Sequence, residues 1–225
     1  MKINAFSDTH GFHDNCDDII QPCDVLCIAG DFVPLYMQRN IPQSWAWFEK
    51  SFIPWLMNYP CKRVMLVGGN HDFFLDTTMS QSMMKKVLSD NYAATKIQYL
   101  CDSGVEYEGK LFWGCPYIEN LRNWAFYTDT ARHYSAIPDC YVLITHSSIS
   151  GPLGTVNQNS YNKGSDFGSQ KLLDSLEGRK INLHFCGHVH SGQKGGIEYK
   201  GTQVYNVSMI DEMYQVAYPL TKVEL

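Results

Sequence analysis

The segment Val64-Met65-Leu66-Val67-Gly68-Gly69-Asn70-His71-Asp72 carries the architecture of this chain in miniature. A short apolar run with β-branched ends reads as a buried strand, and the paired glycines close it. An amide, an imidazole and a carboxylate follow at once, all groups that bind metals or move protons. Outward from this point the arrangement recurs. Ile3 to Phe6 runs into Ser7-Asp8-Thr9-His10, and Val25-Leu26-Cys27-Ile28-Ala29 into Gly30-Asp31. Tyr141-Val142-Leu143-Ile144 runs into Thr145-His146, and Leu183 to Cys186 into Gly187-His188-Val189-His190.

Between these runs the pattern predicts helices around Ser44 to Leu56, Ser80 to Leu88 and Ser169 to Leu176, the last stopped by Gly178. The middle of the chain reads as antiparallel. Ile97 to Leu100, Val105 to Glu108 and Leu111 to Gly114 are joined by Asp102-Ser103-Gly104 and Glu108-Gly109-Lys110. A last hairpin is expected from Gly196 to Val207, turning at Lys200-Gly201. Strands with interspersed helices and hairpins predict a layered α/β protein with mixed sheets. No repeat or linker-like stretch divides the sequence, so residues 1–225 read as one domain.

Composition narrows the function class. With 44% hydrophobic and 18% charged residues the chain is long and apolar enough for one substantial core. Its formal net charge of −5 is not the footprint of a protein that grips long nucleic acid, so strong nucleic-acid binding is not expected. A small nucleotide stays possible, since bound cations reverse a local field. The eight cysteines include no C-x-x-C pair, which points to reduced thiols rather than a zinc ribbon or redox motif. Polar residues enter too early for a signal peptide, and no apolar run reaches the roughly 20 residues of a membrane span. A cytoplasmic protein with no membrane partner is the expectation.

Asp, Asn and His at the carboxyl ends of several strands occupy the edge where ligands bind in open α/β sheets. Oxygen and imidazole donors on rigid elements suit hard or borderline divalent cations. Two such cations about 3.5–4 Å apart can clamp a nucleophile and the oxygens of a phosphoryl group, with a carboxylate bridging them. Asp31 is the natural bridge. Each motif alone has an ordinary reading: a turn for Gly30-Asp31, a packed core histidine for His146. Their joint recurrence after apolar runs is what points to a metal centre.

In these residues the chain resembles the calcineurin-like metallophosphoesterase superfamily, whose pattern is D-x-H, G-D, G-N-H-[DE], a later G/T-H, and G-H-x-H. Asp8/His10, Gly30-Asp31, Gly69 to Asp72, Thr145-His146 and Gly187-His188/His190 match it in order. Asn206-Val207-Ser208 is similar to the closing segment of the small, single-domain MPPED-like branch. The resemblance implies two packed mixed β-sheets flanked by helices, a four-layer sandwich. It implies one metal on Asp8, His10, Asp31 and His190, and a second on Asp31, Asn70, His146 and His188. His71 would face the phosphate and protonate the leaving oxygen, with Asp72 orienting His71. The implied reaction is hydrolysis of a small phosphate ester, a phosphodiester such as a cyclic nucleotide, by a metal-bridging hydroxide. A nuclease and a non-catalytic metal-binding protein are the alternatives. The donors suit Mn, Fe, Zn, Ni or Co.

Two departures bear on substrate. Thr145-His146-Ser147-Ser148-Ile149 replaces the branch's T-H-G-P-P, and no Asp-Arg-Gly follows Gly30-Asp31, which disfavours a protein phosphatase. Outside the motifs, His13 and Asp14 read as solvated loop residues or pocket rim, and His184 as packed or surface. His133 has no assigned role. Arg122, Asn123 and Arg132 are candidate phosphate contacts. Trp45, Trp47, Phe48, Phe52 and Trp55 read as core or partner surface. The Gly151 to Gly168 segment beside His146 reads as a gating loop or a plain surface loop.

Overall fold

In a computed structural model, which describes residues 1–15, 19–157 and 162–225, the strand runs become the central parallel strands of two sheets. In the first sheet β1 (Lys2–Phe6), β2 (Val25–Ala29), β3 (Arg63–Val67) and β4 (Ile97–Tyr99) lie parallel side by side. The second sheet holds β5 (Ser103–Tyr107), β6 (Lys110–Cys115), β7 (Cys140–Thr145) and β8 (Ile181–Cys186). β9 (Ile197–Tyr199) and β10 (Thr202–Asn206) complete it, in the order β5-β6-β7-β8-β10-β9. There β6, β7, β8 and β10 run parallel, while β5 and β9 pair antiparallel at the two edges. The chain's last strand, β11 (Thr221–Glu224), returns to pair antiparallel with β1.

The period-two direction of side chains sorts each strand into two cores. Ile3, Ala5, Val25, Cys27, Ala29, Met65 and Val67 meet Phe112, Val142, Ile144, Leu183 and Phe185 between the sheets. The alternate residues Leu26, Ile28, Val64 and Leu66 face a helical layer. That layer is α1 (Ile41–Trp47), a π-helical turn over Phe48–Phe52, α2 (Ile53–Asn58) and α3 (Ser80–Asp90). Asn40 caps α1 by accepting from the Gln43 N–H, which starts the helix earlier than Ser44. On the far side α4 (Ala131–Ser135) and α5 (Gln170–Ser175) cover Cys140 and Leu143. The result is the expected helix–sheet–sheet–helix sandwich. Strands buried on both faces need apolar residues throughout, which is why they read as unbroken runs.

The expected three-stranded antiparallel middle is corrected. β4 joins the first sheet parallel to β3, with Ile97 opposite Val64, and the chain then crosses to the second sheet. Leu100 makes the crossing by burying itself between the sheets. It lies so close over Gly114 that a Cβ there would sit 2.3 Å from the Leu100 Cβ. The second turn is a true hairpin: Glu108 and Gly109 both take positive φ, as a two-residue primed turn requires. The final hairpin at Lys200-Gly201 has the same form.

Trp45, Trp47, Phe48, Phe52 and Trp55 pack into the first core beside Phe32 and Phe74, as a core reading of them requires. No helix among the described residues is long and apolar enough to cross a membrane. Cys16 and residues 158–161 of the Gly151–Gly168 segment lie outside the described residues.

Candidate metal centre

Parallel strands put their carboxyl ends on one edge, and there the chain makes sharp turns. Asp8, His10, Asp31 and His188 all adopt positive φ, between 44° and 70°. Side chains rarely tolerate this region, and its concentration at one edge is the kind of local strain that functional sites hold. The glycines of the motifs serve close approach. A Cβ on Gly69 would lie 2.3 Å from Asp31 Oδ1, and one on Gly187 would lie 2.3 Å from Ser7 Oγ. A hydrogen bond from the Ser7 N–H to the Val207 carbonyl ties the exit of β1 to the end of β10, so the two sheets present one common edge.

Asp8, His10, Asp31, Asn70, His71, His146, His188 and His190 converge there. Asn70 Oδ1 lies 2.7 Å from His146 Nε2 and 2.9 Å from His188 Nδ1. His146 Nε2 is also 3.3 Å from Asp31 Oδ2, and His190 Nε2 is 3.7 Å from Asp8 Oδ1. Ligand atoms of Asp8, His10 and His190 lie within 4.8 Å of one another, as do those of Asp8, Asp31 and His146, and those of His10, Asp31 and His71. Asp31 therefore belongs to both an Asn70/His146 neighbourhood and a His10 neighbourhood.

The donors fit divalent cations. His146 Nδ1 donates to the Ala29 carbonyl at 2.8 Å, so its Nε2 lone pair confronts the oxygens of Asn70 and Asp31. Three electron donors turned on one another need a positive charge among them. Without a cation the proton is held on His146: burial opposes it, but Asp31 and then Asp8 raise its pKa to about 9. Metal binding displaces such a proton. His190 Nδ1 similarly meets the Asp211 carbonyl at 3.2 Å, the outer hydrogen bond that orients a ligating imidazole.

His10 is buried, and neither ring nitrogen has a hydrogen-bond partner among the described residues. An unpaired buried imidazole is costly, and a metal bond would relieve it. Burial, then the neighbouring His71 and His190, lowers its pKa to about 3, against Asp31 and Asp8. Burial and His146 bring His188 to about 3 as well. Both rings stay neutral, the form that ligates. Burial works against the Asp8 carboxylate, yet His190 and His146 hold its pKa below the ordinary range. Asp31 is likewise held down, by His146, His71 and His10.

The expected contact between Asp72 and His71 is corrected. Asp72 Oδ2 accepts from the Asp31 and Gly69 N–H groups, both at 2.8 Å, and Oδ1 from Val33 N–H at 3.1 Å. The acid thus ties the loop after β2 to the loop after β3. Burial and the Asp31 charge push its pKa up to about 8, against the Gly69 and Val33 N–H groups. His71 is held instead by Gln38, whose Oε1 lies 2.5 Å from Nδ1. Asp72→Ala would strand three buried N–H donors. Metal-free Asp72→Ala protein is expected to unfold in urea with about 3 kcal/mol less stability than wild type. An unchanged midpoint would contradict the tie.

The centre opens into a pocket of about 220 Å³, whose lining adds Leu121, Trp124, Glu212 and Tyr214 to the motif residues. Trp124 packs on His71 with ring centroids 4.5 Å apart, and Tyr214 on His10 and His190 at 5.2 and 5.1 Å. Gln38, Trp124, Glu212 and Tyr214 escaped the sequence reading, since none stands in a motif or at the end of a core strand. Of the candidate phosphate contacts none lines this pocket: Arg122 and Asn123 are exposed, and Arg132 donates to His133 Nε2 at 3.1 Å.

The other histidines also resolve. His13 is buried, not solvated, with its ring against Trp47, Phe52 and Trp55. His133 is buried, stacks on Tyr117 at 3.6 Å and bonds Asp102. His184 is packed, its Nε2 2.8 Å from Thr145 Oγ1.

The model of one protein family, calcineurin-like phosphoesterase, matches residues 1–192. The chain belongs to that family. An UPF0046 protein of Caenorhabditis elegans is 29% identical over 96% of this chain and 72% of its own length. Human metallophosphoesterase domain-containing protein 1 is 28% identical over 100% of this chain and 71% of its own. Among solved structures, the phosphopantetheinyl hydrolase of Mycobacterium tuberculosis aligns with a TM-score of 0.57 at 15% identity, covering 99% of this chain and 95% of that one. A Thermus thermophilus protein, TT1561, aligns with a TM-score of 0.54 at 12% identity, over 99% and 97%. At such identities the likeness is one of fold. As a calcineurin-like phosphoesterase the chain is a metal-dependent phosphoester hydrolase, with Asp/His groups that can bind metal.

Proposed function

We propose that this calcineurin-like phosphoesterase hydrolyses phosphodiesters, cyclic nucleotides among them, at a dinuclear centre of Mn, Fe, Zn, Ni or Co. The observation that carries the reading is the position of Asp31, whose Oδ2 lies 3.3 Å from His146 Nε2 of one proposed donor set while its carboxylate also groups with His10 of the other. Asp8, His10, Asp31 and His190 would hold one cation, and Asp31, Asn70, His146 and His188 the other. Bound there, the cations would acidify water and neutralise charge on the phosphoryl oxygens.

The chain's own groups do the rest. The ionised Asp8 and Asp31 keep the centre anionic enough to retain dications. His71 lines the pocket with Nδ1 turned to Gln38, which leaves Nε2 on the pocket side, 3.8 Å from Asp31 Oδ2. Burial lowers the His71 pKa against the Asp31 charge, and in its imidazolium form Nδ1–H would stay on the Gln38 oxygen while Nε2–H would reach the leaving oxygen, the geometry of a general acid. Leu121 and Trp124 give the ester group an apolar wall. The net charge of −5 argues against a long polyanion as substrate.

Turnover of bis(4-nitrophenyl) phosphate by Mn²⁺-loaded protein, abolished by chelation and restored by metal, is the expected result. Failure to turn over with each of the five metals would leave a binding protein and overturn the reading.

A further inference from the structure

The pocket holds one charged group that neither the metal centre nor the proton transfer uses. Glu212 lines it beside His188 and His190, contributed by the segment after β10. Its Oε1 is fixed by the Ser191 N–H at 3.0 Å and the Ser191 hydroxyl at 2.8 Å, one residue past His190. A carboxylate held by two donors keeps its position. No lysine or arginine stands among the described residues lining the pocket. Half-buried Lys194 feels the Asp8 and Glu212 charges, but it lines another cavity and donates to Asn206 Oδ1 at 2.8 Å.

The pocket's wall is thus anionic on one side and apolar on the other. A phosphomonoester brings two negative charges near neutral pH and a phosphodiester one. Against a fixed carboxylate each additional charge is repelled, and no basic side chain in the wall compensates. The diester's second substituent would instead meet Leu121, Trp124 and Tyr214, which line the other side. Building on the hydrolase reading above, we propose that Glu212 is the specificity-determining residue that makes this site prefer phosphodiesters to phosphomonoesters.

The test compares kcat/KM for bis(4-nitrophenyl) phosphate and 4-nitrophenyl phosphate in Mn²⁺-loaded wild type and Glu212→Gln. The amide keeps the carbonyl that accepts from Ser191 and removes the charge. The expected result is a gain in monoester kcat/KM that lowers the diester-to-monoester ratio about 10-fold. A purely structural role would lower both substrates together, and that result, or an unchanged ratio, overturns the proposal. Salt gives a second measurement on wild type alone: higher ionic strength should move its ratio toward that of Glu212→Gln. A salt-independent wild-type ratio contradicts the proposal even if the variant does not fold. If metal-loaded protein turns over neither ester, the hydrolase reading fails on its own. Calorimetric titration then decides the charge filter: inorganic phosphate should bind about 10-fold tighter to Glu212→Gln, with diethyl phosphate little changed. Equal gains for both ligands, or none, would sink it.

Discussion

Asp31→Ala protein is expected to lose both metal ions together, with turnover of bis(4-nitrophenyl) phosphate falling to background. The carboxylate groups with Asp8 and His146 on one side and with His10 and His71 on the other, and its Oδ2 lies 3.3 Å from His146 Nε2. It is also a structural acceptor, taking the His71 N–H at 2.7 Å on Oδ1. Its loss would leave His146 with Asn70 and the Asp8 carboxylate, and His10 with Asp8 and His190, without the anion proposed to lie between the two cations. Two dications brought to about 3.5–4 Å repel one another unless negative charge lies between them. Removing Asp31 therefore weakens both positions, whereas His190→Ala, outside the Asn70 set, should weaken one. Metal content by elemental analysis after gel filtration distinguishes the cases. Two ions retained in Asp31→Ala would refute the shared carboxylate, and so would one retained at full affinity.

How much of this was legible beforehand follows from what each feature demands of the sequence. A strand buried on both faces must be apolar throughout, so Val25–Ala29 and Val64–Val67 announced themselves, and the polar residues after them marked the functional edge. Glycines at the exits were visible because Asp31, His146 and Asp8 crowd against them. The sheet to which a strand belongs was not visible. Ile97–Tyr99 followed by a turn reads alike for a hairpin and for a crossover, and only the burial of Leu100 against Gly114 decides it. Adjacency misled at His71-Asp72. The turn that aims His71 into the pocket sends the Asp72 carboxylate the other way, onto backbone N–H groups. Backbone partners such as the Ala29 and Asp211 carbonyls carry no residue signature at all. Gln38 sits in a loop without pattern, and its contact with His71 spans 33 residues. His13 looked solvated because its polar neighbours hid the three aromatic rings that close over it.

His71→Ala should reduce kcat by about 10²–10⁴-fold, the usual contribution of a positioned general acid, while both metals stay bound. His71 differs from the proposed metal donors in its outer partner. The ring nitrogens of His146 and His190 are backed by carbonyls of the strand exit and the closing segment. His71 is backed by a side-chain amide from the loop after β2, and its ring lies against Trp124 at the pocket wall. An imidazole so placed turns with its partner. Gln38→Leu should therefore lower kcat in the same direction but by less, about 10-fold, because the ring remains and only its orientation and tautomer are released. Gln38→Glu, which keeps an acceptor at Nδ1, should recover most of the loss. Leaving-group dependence is the decisive readout. If His71 protonates the departing oxygen, the defect of His71→Ala must shrink as the leaving phenol becomes more acidic, since a better leaving group needs less help. A defect of constant size across a series of substituted phenyl esters would remove the proton-transfer role. Loss of a metal ion from His71→Ala would move His71 into the ligand set, a placement its 4.8 Å grouping with His10 and Asp31 makes a genuine rival.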